Sequence, residues 1–317
     1  MNTRAPFFIF EATQRCNNKC LYCYNVWHEG DYPRGELSLA QIDTLFENLN
    51  RQTRVHAVTL AGGEPLMRAD IIDVAALLKT KKIKTGVVSN GTLLDQAMLQ
   101  RLIDNGVSYF EISLPCLNED LFTTLCASSG LETVRKAILY IKEKNIALTV
   151  AFIITKINMN EIEDVIDVSF AFGADSVALN RFVPTGLGKA NGNELSVTND
   201  ELSQVLSKAN KKAQELNYRV RVTVPVEHCV FDQGRYTFLK FGGCGCGDDK
   251  WSIDSLGNLR TCEQNKQVLG SLFTHSFAEL SAAATVKEFR QKNARIECGV
   301  CAYYHNHCGG GCRFLGN

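Results

Sequence analysis

The sequence predicts an α/β protein: a partial (β/α)6 barrel of the TIM type, followed by a small cysteine-rich C-terminal domain. Two observations predict it. Over residues 6–182 short apolar runs alternate with stretches of helical periodicity, and beyond Phe241 the composition shifts towards Gly and Cys. Strands that alternate with helices form a parallel sheet with right-handed crossovers. In such folds the chemistry gathers at the C-terminal ends of the strands.

The strand candidates are residues 7–11, 57–60, 84–89, 109–114, 147–154 and 176–182. Helical periodicity fills the intervals at 38–50, 69–79, 95–104, 133–144 and 161–172. Ser38 and Asp95 precede two of these helices as N-caps. Asn105-Gly106 and Phe172-Gly173 read as helix stops. A Gly-containing linker at 184–193 leads to a helix at 198–216 and a strand at 218–224. One further helix is expected at 277–292. The expected divisions are 1–188 for the barrel, 189–240 for a bridging segment and 241–317 for the cysteine-rich domain. So short and Gly-rich a domain needs metal cross-links to hold its core.

With 317 residues, 45% hydrophobic and 21% charged, the composition is that of a globular protein. Lys+Arg and Asp+Glu balance at 34 each, so no global field recruits nucleic acid or an anionic membrane. No apolar run is long enough to span a bilayer, and the N-terminus lacks a secretory signal. A cytoplasmic protein is the expectation. In a reducing compartment 13 cysteines point to metal or cluster ligation rather than disulfides. Three lie near the N-terminus and seven between Cys244 and Cys312. Cys116, Cys126 and Cys229 are scattered and read as small buried residues, with a direct role for Cys116 as the alternative.

Cys16, Cys20 and Cys23 stand as C-x3-C-x2-C just after the first strand. Three thiolates from one short loop can hold three irons of a 4Fe–4S cubane and leave the fourth iron open to a ligand. Zinc is the competing occupant, although it takes four ligands and usually a second paired unit. The second strand runs into Gly62-Gly63-Glu64-Pro65, whose glycines permit close backbone approach and whose carboxylate suits an ammonium group. The third ends in Ser89-Asn90, suited to sugar hydroxyls, and the fourth in Ser113-Leu114-Pro115-Cys116.

Together these residues resemble the radical S-adenosylmethionine superfamily over about residues 7–188. The three cysteines match its cluster motif, with the aromatic Tyr22 before the third. The resemblance implies that Gly62, Gly63, Glu64 and Pro65 meet the methionyl amino group, that Ser89 and Asn90 meet the ribose, and that Ser113 and Arg135 complete the cofactor site. Pro115 and Cys116 depart from the acidic residue and glycine usual there. The implied chemistry is reductive cleavage of S-adenosylmethionine to a 5′-deoxyadenosyl radical that abstracts hydrogen from a substrate. A flavodoxin- or ferredoxin-type protein would supply the electron.

The C-terminal cysteines resemble the SPASM extension of peptide-modifying radical enzymes. By that analogy Cys244, Cys246, Cys262 and Cys312 hold one auxiliary 4Fe–4S cluster, and Cys298, Cys301 and Cys308 hold a second. The second lacks an obvious fourth cysteine; His305, His307 or Asp248, an open iron, absence of the cluster, or zinc are the alternatives. Trp251 and Tyr303-Tyr304 are expected to pack beside these sites, and Arg181 to pair with a carboxylate.

The function expected is an oxidoreductase maturing a ribosomally made peptide. The chain begins almost at its first strand, so peptide recognition would fall to the barrel mouth, the Gly-containing segment or a separate protein. The first alternative is the same chemistry on a sugar alcohol, aminocyclitol or tetrapyrrole. The second is a non-catalytic iron–sulfur or zinc protein.

Overall fold

The computed structural model describes residues 6–304 and 308–315. One mixed sheet organises the chain, with strand order β11-β10-β9-β1-β2-β3-β4-β5-β6-β7-β8. Six strands correspond to the six expected: β1 (Phe7–Thr13), β2 (Ala57–Gly62), β3 (Lys84–Ser89), β4 (Val107–Ser113), β5 (Ala147–Ile154) and β6 (Ser176–Arg181). They continue into β7 (Val220–Val222) and β8 (Leu239–Phe241), each parallel to its neighbour. Because β8 and β11 do not pair with one another, the barrel stays open.

The helices between the strands are α1 (Leu39–Gln52), α2 (Ile71–Thr80), α3 (Gln96–Asp104), α4 (Glu119–Cys126), α5 (Leu131–Glu143) and α6 (Ile162–Ala171). A single turn, α7 (Gly192–Leu195), precedes α8 (Asn199–Leu216). Ser38 caps α1 through a complete capping box with Gln41, and Asp95 caps α3 by accepting from Met98 N. The apolar faces of these helices cover the outer face of the sheet. Phe10 meets Phe46 edge to face at 5.6 Å between centroids, for example. α4 escaped the periodicity because it is only eight residues long. Asn118 caps it and Ala127, at φ 49°, ends it.

The C-terminal segment departs most from expectation. β9 (Lys250–Ile253) runs parallel to β1, in register from Phe7↔Lys250 to Phe10↔Ile253. β10 (Asn258–Arg260) and β11 (Gly270–Ser271) follow antiparallel. The same sheet therefore extends on the β1 side. These strands are too short to show a period-two pattern. The expected helix at 277–292 divides into α9 (Phe277–Ser281) and α10 (Ala284–Gln291). Trp251 does not pack beside cysteines: its ring meets Phe277 at 5.4 Å. Alternation along β9 sends it to the face opposite Lys250.

Candidate active site at the open barrel

Cys16, Cys20 and Cys23 lie on the loop that leaves the C-terminal end of β1, all partly buried. The loop is fastened on three sides. Gly63 N–H donates to Thr13 O and Glu64 N–H to Arg15 O, both at 2.8 Å. Asn90 Nδ2 donates to Asn17 Oδ1 at 2.9 Å, and Asn25 Nδ2 to Gly62 O at 2.8 Å. Lys19 N–H and Leu21 N–H donate to Cys126 O and Leu125 O, at 3.1 and 2.8 Å, where α4 ends. Three motifs far apart in sequence thus share one barrel mouth.

The two glycines serve this docking. A Cβ on Gly62, which stands at φ +125°, would lie 2.3 Å from Thr13 O, and one on Gly63 would lie 2.1 Å from Arg15 O. The close approach that the sequence suggested for a ligand is made here by the cysteine loop's own backbone.

Glu64 is 1% exposed and accepts three hydrogen bonds. They come from Ser89 Oγ at 2.8 Å, Asn90 N at 2.8 Å and Leu66 N at 3.2 Å. No cation pairs with it among the described residues. Burial pushes its carboxyl up to about 7, against the pull of those donors. A buried carboxylate with donors on three sides and no positive charge suits an ammonium group. Burial likewise pushes the Cys16 thiol up to about 11 and that of Cys23 to about 12. Asn18, on the same loop, is buried with neither side-chain atom bonded. An anionic metal–sulfur group held by the three thiolates would give that amide an acceptor, so the donor set fits a cluster.

Ser113 ends β4 half-buried, opposite Ala151 of β5. Arg135 of α5 donates from Nη2 to Leu117 O at 2.7 Å, which braces the loop between β4 and α4. Cys116 is fully buried and its thiol donates to Asn118 O at 3.5 Å, as part of the core. Cys126 is also buried, whereas Cys229, expected inside, is exposed in a turn.

A second cysteine group sits at the other end of the barrel. Cys244, Cys246, Cys262 and Cys312 line one cavity of about 640 Å³ that fills the barrel lumen. Tyr22 and Tyr24 line its far end, and Glu111 of β4, Arg181 and Arg221 line its wall. The seven residues of β1 separate the two ends, about 20 Å at the usual rise of a strand. The ligand atoms of Cys246, Cys262 and Glu263 lie within 4.8 Å of one another, and Glu263 Oε2 is buried without a partner. Lys250 Nζ holds the other oxygen at 2.6 Å. Sequence reasoning missed both Lys250 and Glu263; only the pairing of β9 with β1 brings them here.

Cys298, Cys301 and Cys308 are not gathered this closely among the described residues. Cys308 is buried and Cys298 accepts from Arg295 N at 3.3 Å. Asp248 is engaged by Arg290 Nη2 at 3.0 Å, and Tyr303 stacks on His228 at 4.2 Å. The candidate ligands His305 and His307 lie outside the described residues.

An open barrel of parallel strands with three thiols at its mouth is an arrangement able to hold a metal–sulfur group. The chain belongs to the radical SAM superfamily, whose model matches residues 10–168. It is 25% identical to the Fe-coproporphyrin III synthase of Methanosarcina barkeri, over 75% of this chain and 59% of that protein. It is also 25% identical to the pre-heme d1 synthase of Dinoroseobacter shibae, over 98% of this chain and 82% of that one. The fold is similar to that of Streptococcus suis SuiB bound to the precursor peptide SuiA, with a TM-score of 0.78 and 16% identity over 98% of this chain and 72% of that chain.

Proposed function

We propose that this chain is a radical S-adenosylmethionine oxidoreductase that works on a substrate held in the lumen, between the cofactor site and an auxiliary cluster. The observation that carries the reading is the fastening of the Cys16–Cys23 loop to Glu64 and Asn90, which gathers thiolates, carboxylate and amide at one mouth. Cys16, Cys20 and Cys23 hold a 4Fe–4S cluster; Glu64, with the backbone of Gly62, Gly63 and Pro65, takes the methionyl ammonium. Ser89, Asn90, Ser113, Arg135 and Tyr22 complete the cofactor site. When bound, the cluster supplies the electron that cleaves S-adenosylmethionine to a 5′-deoxyadenosyl radical. The residues of the lumen orient the substrate and exclude water. Cys244, Cys246, Cys262 and Cys312 hold an auxiliary cluster at the opposite end, which suits a net oxidation. Cys298, Cys301 and Cys308 contribute to a second.

Arg181 and Arg221 in the lining favour a substrate bearing carboxylates, which the two guanidinium groups would hold. A tetrapyrrole meets that description, and the two relatives named for tetrapyrrole products support it. Peptide maturation is the second reading, supported by the fold shared with the peptide-bound SuiB. Anaerobic reconstitution, reduction and assay of 5′-deoxyadenosine test the proposal. Cofactor cleavage stimulated by a porphyrin carboxylate, and lost with Cys20→Ala, is the expected result. No 5′-deoxyadenosine under any condition would overturn the enzyme reading, and stimulation by peptides alone would replace the first substrate with the second.

A further inference from the structure

The lumen holds a carboxylate that the cofactor site does not use. Along β4, Phe110 and Ile112 pack outward into the core, whereas Tyr109 and Glu111 line the central cavity. Glu111 stands opposite Val88 of β3 and Thr149 of β5, two residues before Ser113. At the usual rise of a strand it lies about 7 Å below Ser113 and the cofactor mouth. Its strand is interior to the sheet, yet Glu111 is only partly buried, so the surface it keeps faces the lumen. Tyr109 Oη donates to Glu111 Oε2 at 3.2 Å, and no cation pairs with the carboxylate among the described residues. Lys250, on the same cavity wall, is held by Glu263 at 2.6 Å. Burial pushes the Glu111 carboxyl above its ordinary range, so a bare charge there is costly.

Across the lumen the sign reverses. Arg181 ends β6 and Arg221 lies on β7, and neither forms an ion pair among the described residues. Arg181 Nη2 reaches the neutral Asn199 Oδ1 at 3.4 Å. Three strand spacings separate β4 from β7, about 14 Å along the wall. A ligand with carboxylates alone would satisfy the two guanidinium groups and set its own charge against Glu111.

We propose that Glu111, held by the Tyr109 hydroxyl, is a specificity-determining residue of the lumen: it takes a cationic N–H group of a substrate whose carboxylate Arg181 and Arg221 hold. The inference rests on the reading of the lumen as the substrate site. It narrows the substrate class from carboxylates to amphoteric molecules with nitrogen and carboxylate at opposite ends. Tyr109 is a positioning residue, since its bond fixes Oε2 and leaves Oε1 to accept from the ligand.

The test is calorimetric titration of the reconstituted, unreduced protein with S-adenosylmethionine present, so that Glu64 is already engaged. The probes are ω-aminooctanoate and nonanoate, chains of equal length that end in an ammonium or a methyl group. The parent is expected to bind ω-aminooctanoate about tenfold more tightly, the scale of one hydrogen bond to a charged group. Glu111→Gln is expected to lose that preference while keeping its affinity for nonanoate, and Tyr109→Phe to reduce it. Arg221→Gln is expected to weaken both probes. Equal affinities in the parent would overturn the proposal without any variant, as would a preference that survives Glu111→Gln. Failure of the underlying reading looks different: neither probe would bind the parent, and the proposal would fall with it.

Discussion

Arg260 of β10 meets Glu11 of β1 in an ion pair buried on both sides, at 0% and 2% side-chain exposure. The same guanidinium donates to Asn265 O at 3.0 Å and lies over the Tyr32 ring, whose hydroxyl donates to Asp254 at 2.8 Å. The pair clamps the C-terminal hairpin to the strand that leads into the cysteine loop. Breaking a buried pair on one side leaves an uncompensated charge and costs roughly 3–5 kcal/mol, whereas replacing both partners by apolar groups costs far less. Arg260→Met should therefore lower the urea midpoint steeply, and Glu11→Leu in the same chain should recover much of it. Equal loss in the single and double variants would show that packing, not charge, holds the hairpin.

Glu64 makes stability depend on pH. Its native carboxyl titrates at about 7, raised by burial from an ordinary 4.5. Below 4.5 the native and unfolded chains both hold the proton; above 7 neither does. Between these values the native state holds a proton that the unfolded chain has released, so stability falls as pH rises through the window. The slope this residue contributes approaches about 1.4 kcal/mol per pH unit. Chemical denaturation of Glu64→Gln at a series of pH values should give a flatter profile between 4.5 and 7. Binding of S-adenosylmethionine, followed by equilibrium dialysis, should weaken in the same variant.

Gly63→Ala should separate the fold from the cofactor site. The new methyl would stand 2.1 Å from Arg15 O and push the cysteine loop off the end of β2. Iron bound after reconstitution should drop while far-ultraviolet circular dichroism stays that of the parent. Gly30→Ala, where a Cβ meets nothing within 4 Å, is the control and should load iron normally.

Burial keeps the Cys16 and Cys23 thiols protonated, near 11 and 12, until metal arrives. Iron binding must displace those protons. Reconstitution should release acid, seen with an indicator dye in weak buffer, and should proceed faster at pH 9 than at pH 7. Uptake independent of pH over that range would mean that the thiols ionise before metal binds.

Much of this was legible along the chain. The six strands, the Ser38 and Asp95 caps and the motifs at strand ends follow from local patterns of one element each. The N-terminal cysteines announced themselves because their spacing lies within a single loop. Cys126 did not: nothing in its neighbours distinguishes it from Cys116, and only the docking of α4 sets its thiol 3.3 Å from the Tyr22 hydroxyl. Lys250 and Glu263 were invisible for the same reason.

By itself the sequence determined the order of strands and helices, because period and capping are properties of neighbouring residues. It also marked Cys16, Cys20, Cys23 and Glu64 as the candidates for thiolate and carboxylate chemistry, because their motifs are local. Only the tertiary structure decided that β9 joins the sheet beside β1, since strand pairing is set by register between distant segments and by the burial it achieves. That pairing set Cys246 and Cys262 at the end of the lumen opposite Cys16, Cys20 and Cys23. It also made the buried charges of Glu11 and Arg260 affordable, because each lies within reach of the other only once β9 and β10 have joined the sheet beside β1.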